Sequence, residues 1–185
     1  MKNAIVLTGG VASGKSSAAR FLRARGFDVI DADAISRELF REFSEAIEAV
    51  FGTLDRAAIA KRVFANRNDR ARLEAILHPP IRERIFAESR ELDGSGKRYF
   101  VDIPLFFENK DQYPIDDVLL IYAPRSTQLK RLMRDRGVSE QSAIAMIDAQ
   151  IPIDEKKKAA KWVIDNDGDL DDLRLQIDRF LQNAP

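Results

Sequence analysis

The stretch that decides the fold is residues 4–16, which read AIVLTGGVASGKS. Residues 4–8 form a short apolar run, typical of a strand buried inside a parallel sheet. Residues 9–16 follow the pattern GxxxxGKS, in which glycines allow successive backbone N–H groups to wrap a polyphosphate. Residues 17–25 have helical composition and stop at Gly26, with two arginines in the last turn. This order of strand, glycine-rich loop and helix predicts a nucleoside triphosphate site.

The loop predicts a role for each of its residues. Lys15 is expected to reach the β- and γ-phosphates, and the Ser16 hydroxyl to bind the Mg²⁺ that accompanies them. The alternative is a glycine-rich turn without a ligand, and the strand and helix on either side argue against it. The residues expected to hold ATP here are Gly9, Gly10, Val11, Ala12, Ser13, Gly14, Lys15, Ser16 and Ser17.

Composition excludes several other classes of function. The 30 basic and 30 acidic residues cancel, so no long-range positive field is expected to attract nucleic acid or an anionic membrane. Cysteine is absent, which excludes disulfides, thiolate catalysis and a cysteine zinc site. The first predicted strand starts at residue 4 and no apolar run has membrane-spanning length. We therefore expect no secretion signal and a cytoplasmic location.

Strands alternate with helices along the chain, which predicts a single α/β domain over 1–185 with a five-stranded parallel sheet between helical layers. The four strands expected after the first are residues 27–31, 99–103, 118–122 and 162–165.

The helical segments divide into three groups. Residues 34–92 are charge-rich and helical, with one helix ending at Leu77 before His78-Pro79-Pro80, and 93–96 as a loop. Residues 125–149 are expected to form two helices hinged near Gly137, with Ser139 as an N-cap. Residues 169–181 form a final amphipathic helix.

Two further motifs narrow the class of P-loop protein. A GTPase needs NKxD for guanine, but residues 109–112 read NKDQ. An ATPase motor needs Asp-Glu at the end of a strand, but Ile103 follows Asp102. Instead, Asp31 and Asp33 stand at the carboxyl end of the second predicted strand, where open parallel sheets bind ligands. A carboxylate there can accept the proton of an attacking hydroxyl. The alternative for Asp33 is a helix cap.

Taken together, these segments resemble the dephospho-CoA kinases over nearly the whole chain. The matching segments, in the order of that family, are 7–16 LTGGVASGKS, 29–33 VIDAD, 54–56 LDR, 63–64 VF, 73–74 LE, 78–79 HP, 102–108 DIPLFFE, 128–132 QLKRL, Gln150 and 163–168 VIDNDG. The resemblance implies a three-layer P-loop kinase fold with a helical substrate lobe at about 34–92 and a lid at about 125–149. It also implies that ATP phosphorylates the ribose 3′-hydroxyl of dephospho-CoA, the last step of coenzyme A synthesis.

The resemblance also implies roles for residues outside the loop. Asp33 is the expected catalytic base with Asp31 beside it. The residues expected to bind the acceptor are Asp31, Asp33, His78 and Arg82. For His78, a packing role before proline is the alternative. A further pair, Asn166 and Gly168, is expected near the adenine of ATP.

The lid is expected to supply an arginine to the phosphates. The family commonly has arginine where this chain has Asp135, between Arg134 and Arg136. Arg131 and Arg134 share a helical face, and we expect Arg134 to be the catalytic one. Residues 156–158, KKK, are expected to be a solvated helix face, with steering of ATP as the alternative.

Two other functions remain open from the sequence. A shikimate-kinase-like enzyme would share the P-loop and DxD, but it should carry a glycine triplet after the third strand, where this chain has residues 103–106, IPLF. An ATP-dependent switch whose helical lobe binds a protein would hydrolyse ATP without a small acceptor.

Overall fold

A computed structural model describes residues 1–183, so the last two residues of the predicted domain lie outside the described part. The five strands found there form one sheet in the order β2-β3-β1-β4-β5, and every pair is parallel. This confirms the predicted α/β class with a five-stranded parallel sheet. The strands are β1 Ala4–Gly9, β2 Val29–Asp31, β3 Tyr99–Asp102, β4 Val118–Tyr122 and β5 Trp162–Asp165.

The central strand β1 is buried along its whole length, because it pairs with β3 on one side and β4 on the other. Successive side chains of β1 point to opposite faces of the sheet and pack into two different apolar clusters, as expected for a sheet covered on both faces. Val6 packs among residues of the long insertion, whereas Leu7 packs against the first and last helices. The β1 residues Ile5 to Leu7 are apolar without interruption for this reason.

The helices fall into the groups expected from the sequence. Helices α2–α5 lie in the region of the predicted substrate lobe and α6–α7 in that of the predicted lid, while α1 and α9 pack on the face of the sheet opposite α2–α5. No helix within residues 1–183 is long and apolar enough to cross a membrane. The bounds are α1 Lys15–Ala24, α2 Ala32–Glu42, α3 Ser44–Phe51, α4 Arg56–Ala65, α5 Arg67–Gly94, a 3-10 helix Phe107–Gln112, α6 Arg125–Arg136, α7 Glu140–Asp148, α8 Ile153–Ala159 and α9 Leu170–Asn183.

The turn inside the lid agrees with the sequence. Gly137 has φ 63°, a left-handed conformation that side chains disfavour, and it separates α6 from α7. The Ser139 hydroxyl then accepts the Ser142 N–H at 3.3 Å, as an N-cap does.

Two predictions about helix boundaries were wrong. The helix before His78 does not stop at Leu77, because α5 continues through Pro79 and Pro80 to Gly94 and so takes in half of the predicted loop at 93–96. Both halves of α5 bury apolar side chains in the same cluster, among them Leu77 and Ile85. That burial offsets the hydrogen bonds that the prolines remove. The 3-10 helix was not anticipated, and α8 was anticipated only as a helix face at residues 156–158.

The uninterrupted α5 makes a testable prediction for Pro79, which is exposed. Pro79→Ala restores a backbone donor inside a helix and relieves the ring clash with the preceding turn, so the free energy of unfolding should rise by about 1–3 kcal/mol. Pro124→Ala is the matched control, because Pro124 is the N-cap of α6, where no intrahelical donor is needed. Urea denaturation checks both variants. A helix that really broke at Pro79 would lose stability in Pro79→Ala.

Candidate active site

The P-loop leaves the carboxyl end of β1 and leads directly into α1. Ala12 has φ 57° and Gly14 has φ 94°, so the loop coils with its backbone in the left-handed region at two places. The Ser13 N–H donates to the Gly10 carbonyl at 3.1 Å, which closes the turn. Gly14 is the N-cap of α1, and no side chain caps this end. The N-terminal amides and dipole of α1 are therefore open to an anion.

The ammonium group of Lys15 forms an ion pair with Asp102 at the end of β3. Asp102 is only 5% exposed, and the sheet register places it opposite Asp31. Burial raises the pKa of the Asp102 carboxyl, the Lys15 ammonium lowers it, and the nearby carboxylates of Asp31 and Asp33 raise it further. Lys15 thus pairs with a buried carboxylate that two further carboxylates, those of Asp31 and Asp33, lie close enough to influence.

Asp31 and Asp33 have different roles in the local structure. Asp31 is the N-cap of α2, and its Oδ1 accepts the Ala34 N–H at 2.9 Å. Its Oδ2 lies 3.6 Å from the guanidinium of Arg23. Asp33 is exposed in the first turn of α2, and no hydrogen bond or ion pair within residues 1–183 engages its carboxylate. The alternative that Asp33 is the helix cap is therefore wrong, and its carboxylate is free to meet a ligand.

The loop after β5 supports the P-loop from the other side. Asn166 is 4% exposed, and its side-chain amide donates to the Ser13 carbonyl at 2.7 Å. A Cβ on Gly14 would collide with that amide, so this glycine is required by close approach as well as by its φ. The Gly168 carbonyl accepts from Arg131 at 3.1 Å. Both predicted adenine-site residues thus lie at the P-loop and the lid, while their contact with adenine stays a prediction.

Two of the lid arginines differ in their surroundings. The Arg134 side chain is 75% exposed and binds the neighbouring Asp135, with Nε 2.6 Å from Oδ1. The Arg131 side chain is half-buried against the loop at Gly168, and its Nη1 is buried without a partner in the described chain. The structure therefore places Arg131, but not Arg134, against the loop that carries Asn166 and Gly168.

His78 and Arg82 lie one turn apart on α5, so they share a face of the substrate lobe. Both are half-buried. The Arg82 guanidinium donates to Gln112 Oε1 at 2.6 Å, which links α5 to the 3-10 helix. Burial raises the pKa of the adjacent Tyr113, and Arg82 lowers it. The predicted acceptor residues are thus grouped together in the lobe.

Sequence reasoning missed the polar side chains that hold the lid end against the P-loop. Gln150 Oε1 accepts the Val11 N–H at 3.0 Å. Glu108 Oε1 accepts the Ile151 N–H at 3.1 Å and lies 2.7 Å from Lys156 Nζ. The resemblance had picked out Glu108 and Gln150, which was the available signal, but without a role.

The prediction of a solvated face for residues 156–158 was wrong for its first member. Lys156 is 1% exposed, because α8 packs over β4 and the stem of this side chain lies beneath it. Lys157 and Lys158 are exposed as expected.

Comparison with known proteins places these features in a family. A family model described as dephospho-CoA kinase matches residues 3–172. The dephospho-CoA kinase of Wolinella succinogenes is 41% identical over 187 residues, covering 97% of this chain and 93% of the relative. Among solved structures, the crystal structure of TT1252 from Thermus thermophilus has a TM-score of 0.86 at 34% identity and covers 98% of this chain and 97% of that one.

A second solved structure, a dephospho-CoA kinase from Campylobacter jejuni, has a TM-score of 0.76 at 32% identity, covering 97% of this chain and 96% of that one. The matched residues 3–172 include the P-loop and the helices from α1 to α8. With a P-loop that contains Lys15 and matches over nearly its full length, this chain belongs to the dephospho-CoA kinase family.

Proposed function

We propose that this protein transfers the γ-phosphate of ATP to the ribose 3′-hydroxyl of dephospho-CoA and so produces coenzyme A, the last step of coenzyme A synthesis. The observation that carries the proposal is the free carboxylate of Asp33 next to the P-loop, in a chain that belongs to this family. ATP and dephospho-CoA are the proposed substrates. A cytoplasmic location is part of the proposal, since ATP is consumed there.

Asp33 is the proposed base. The 3′-hydroxyl oxygen attacks the γ-phosphorus as the bond to the β-phosphate oxygen breaks, and ADP leaves. The proton of that hydroxyl passes to the Asp33 carboxylate, which has no competing partner within residues 1–183. Asp31 is held by the helix it caps, so its contribution is to fix the start of α2 and with it the direction of Asp33.

Positive groups around the phosphates supply most of the catalysis, because phosphoryl transfer depends on positioning and charge neutralisation. Lys15 now pairs with Asp102, and an arriving polyphosphate competes for the same ammonium. The open N-terminus of α1 adds backbone donors.

Mg²⁺ fits the residues present. Ser16 is exposed at the start of α1, and no group of three or more metal-binding side chains exists within residues 1–183. A site with so few protein ligands suits an ion that is held largely by ATP phosphates and water, with the Ser16 hydroxyl as the proposed protein ligand. When bound, Mg²⁺ neutralises phosphate charge.

The helical lobe and the lid divide the remaining tasks. His78 and Arg82 are proposed to bind dephospho-CoA, and Arg82 supplies a cation for a phosphate of that molecule. Closing of the lid excludes water, which would otherwise accept the γ-phosphoryl group. Arg131, which donates to the Gly168 carbonyl in the loop after β5, is the lid arginine proposed to approach ATP.

One assay separates this proposal from the two alternatives. ATP consumption should require dephospho-CoA. Consumption with shikimate would favour the shikimate-kinase-like alternative, and consumption without any acceptor would favour the switch protein. The segment after β3, which contains Ile103 and Pro104, lacks the glycine triplet of the shikimate alternative.

Lys15→Ala should lower turnover by roughly 10²–10³-fold and weaken ATP binding, because no other ammonium faces the phosphates from the P-loop. This variant leaves Asp102 buried without its partner, so the double variant Lys15→Ala/Asp102→Asn tests the same loss without a stranded charge. Lys97→Ala, an exposed lysine at the other end of β3, is the control. Steady-state kinetics and ATP titration provide the readouts. Near wild-type turnover in the double variant would show that Lys15 does not serve ATP.

Arg131→Ala should reduce turnover more than Arg134→Ala, because Arg131 lies against the nucleotide-side loop whereas Arg134 is held by Asp135. The choice of Arg134 from the sequence stays a prediction that the same comparison tests. Arg136→Ala, exposed at the end of α6, is the control. Turnover at saturating substrates decides between them. If Arg131→Ala left turnover unchanged while Arg134→Ala lowered it, the result would mean that α6 rotates when the lid closes.

Asp33→Asn keeps the shape of the side chain and removes its charge. Turnover with dephospho-CoA should fall by roughly 10²–10⁴-fold, as expected for loss of a positioned base, while ATP affinity changes far less. Asp28→Asn is the matched control, since Asp28 is an exposed aspartate at the start of the same strand region. A parallel collapse of ATP affinity would identify Asp33 as part of the metal site, and unchanged turnover would exclude it as the base.

A further inference from the structure

The 3-10 helix Phe107–Gln112 contacts both halves of the active site. Near its start, Glu108 binds the segment that follows the lid, and at its end Gln112 binds Arg82 of the substrate lobe. It follows β3 directly, only a few residues after Asp102. A short element with a polar contact at each end can transmit a displacement from one site to the other.

Hydrogen bonds continue along this helix from the lobe. Gln112 accepts from Arg82 through Oε1 and donates through Nε2 to Asn109 Oδ1 at 3.1 Å. Asn109 interrupts the helix with φ −132° and is itself held by the Leu105 carbonyl at 3.1 Å. The next residue toward the N-terminus is Glu108. A shift of Arg82 can therefore reach Glu108 through the side-chain amide of Gln112 and then through Asn109, where the helix is interrupted.

Glu108 connects this helix to the lid root, which we define as residues 149–156. Its Oε1 accepts the Ile151 N–H and pairs with Lys156, whose side chain is fully buried. Its Oε2 is also buried and has no partner in the described chain. A buried ion pair with one unsatisfied oxygen is a poor source of stability, because desolvation opposes the attraction. Its geometric effect is clear, since Glu108 ties both Ile151 and Lys156 of the lid root to the 3-10 helix.

The lid root in turn contacts the phosphate-binding loop. Gln150 accepts the Val11 N–H, and Ile153 lies so close to Gly10 that a Cβ there would be 3.2 Å from its Cδ1. Movement of the lid root therefore changes the backbone that holds the phosphates. The lid helices α6–α7 precede this root directly, so the same movement changes the lid.

We propose that Glu108 and Gln150 are positioning residues that couple acceptor binding to the affinity of the P-loop for ATP. A phosphate group on Arg82 competes with Gln112, and the 3-10 helix carries this change through Glu108 to Lys156 and Ile151. Gln150 then sets the position of the Val11 amide. Binding of the acceptor raises the affinity for ATP, and by linkage binding of ATP raises the affinity for the acceptor by the same factor. This inference rests on the proposed function, because it takes Arg82 as an acceptor residue.

The test measures binding without turnover. The dissociation constant of a nonhydrolysable ATP analogue with Mg²⁺ is determined by calorimetry with and without saturating dephospho-CoA, and the ratio of the two constants is the coupling factor. We expect a factor of at least about 5 in the wild-type protein, at the lower end of typical couplings. The reverse titration should return the same factor. A wild-type factor of one would overturn the proposal.

The variant that breaks the link is the double substitution Glu108→Gln/Lys156→Met. It removes both charges together, so neither is stranded in the interior and the fold should survive, which its melting temperature checks. The coupling factor should fall toward one, while turnover with dephospho-CoA persists at a reduced kcat. Asp111→Asn and Lys158→Met are the matched controls, since they remove exposed charges from the same two helices and should keep the wild-type factor. An unchanged factor in the double variant would limit the pair to a structural role and overturn the proposal.

Gln150→Ala tests the last contact separately, with Gln141→Ala on the exposed start of α7 as its control. Loss of the carbonyl acceptor frees the Val11 N–H, and the coupling factor should fall as it does in the double variant. A Gln150→Ala protein with the wild-type factor would remove the P-loop from the proposed route. Failure of the proposed function would look different, because wild-type protein would then bind no dephospho-CoA and show no dependence of ATP consumption on it.

Discussion

Everything in the active site depends on the parallel register of the three strands β2, β3 and β1. Because parallel strands end at the same edge, the register that pairs Asp31 with Asp102 also sets Asp102 beside the loop that follows β1. Lys15 meets Asp102 there as a result. A shift by one residue would turn Asp102 to the opposite face of the sheet and remove the carboxylate from the lysine.

The electrostatic balance at this edge explains why the site can be stable before it is filled. Burial disfavours charge on Asp102, and the carboxylates of Asp31 and Asp33 disfavour it further. The Lys15 pair and the guanidinium of Arg23 beside Asp31 lower the repulsion. A polyphosphate brings more negative charge to this edge, so its cations must arrive with it or come from the lid. The half-buried guanidinium of Arg131 and a metal carried by the nucleotide are suited to that need.

The sheet was predictable from sequence because its strands are continuous apolar runs. All five predicted strands are present, and the fourth and fifth have the predicted bounds. The P-loop was predictable for a different reason, since its glycines and Lys15 have few other uses in that pattern. Boundaries failed where tertiary packing outweighed local preference, as at Pro79, where burial of α5 overrides the tendency of proline to end a helix.

Parts of the site were beyond local reasoning because they depend on side-chain direction. Asp31 and Asp33 are the same residue type, so the sequence does not distinguish their roles. The backbone at the start of α2 decides that Asp31 caps the helix and that the Asp33 carboxylate stays free. Lys156 looks like its two neighbours in a charged run, but the packing of α8 over β4 buries it. The contacts of Glu108 could not be predicted from sequence, because its partners Ile151 and Lys156 lie more than forty residues away along the chain.

The contact between Asn166 and the Ser13 carbonyl has a consequence for how the chain matures. The P-loop leaves the ribosome well before Asn166, because the side chain that supports its inner turn is separated from it by 153 residues. The Asn166 backbone must also wait for β4, because its N–H donates to Tyr122 at the end of that strand. Contacts so distant in sequence form late, since the loop between them must close first. A growing chain thus carries the phosphate-binding sequence long before it holds the finished cradle, and ATP has no completed site to occupy until nearly the whole domain has been made.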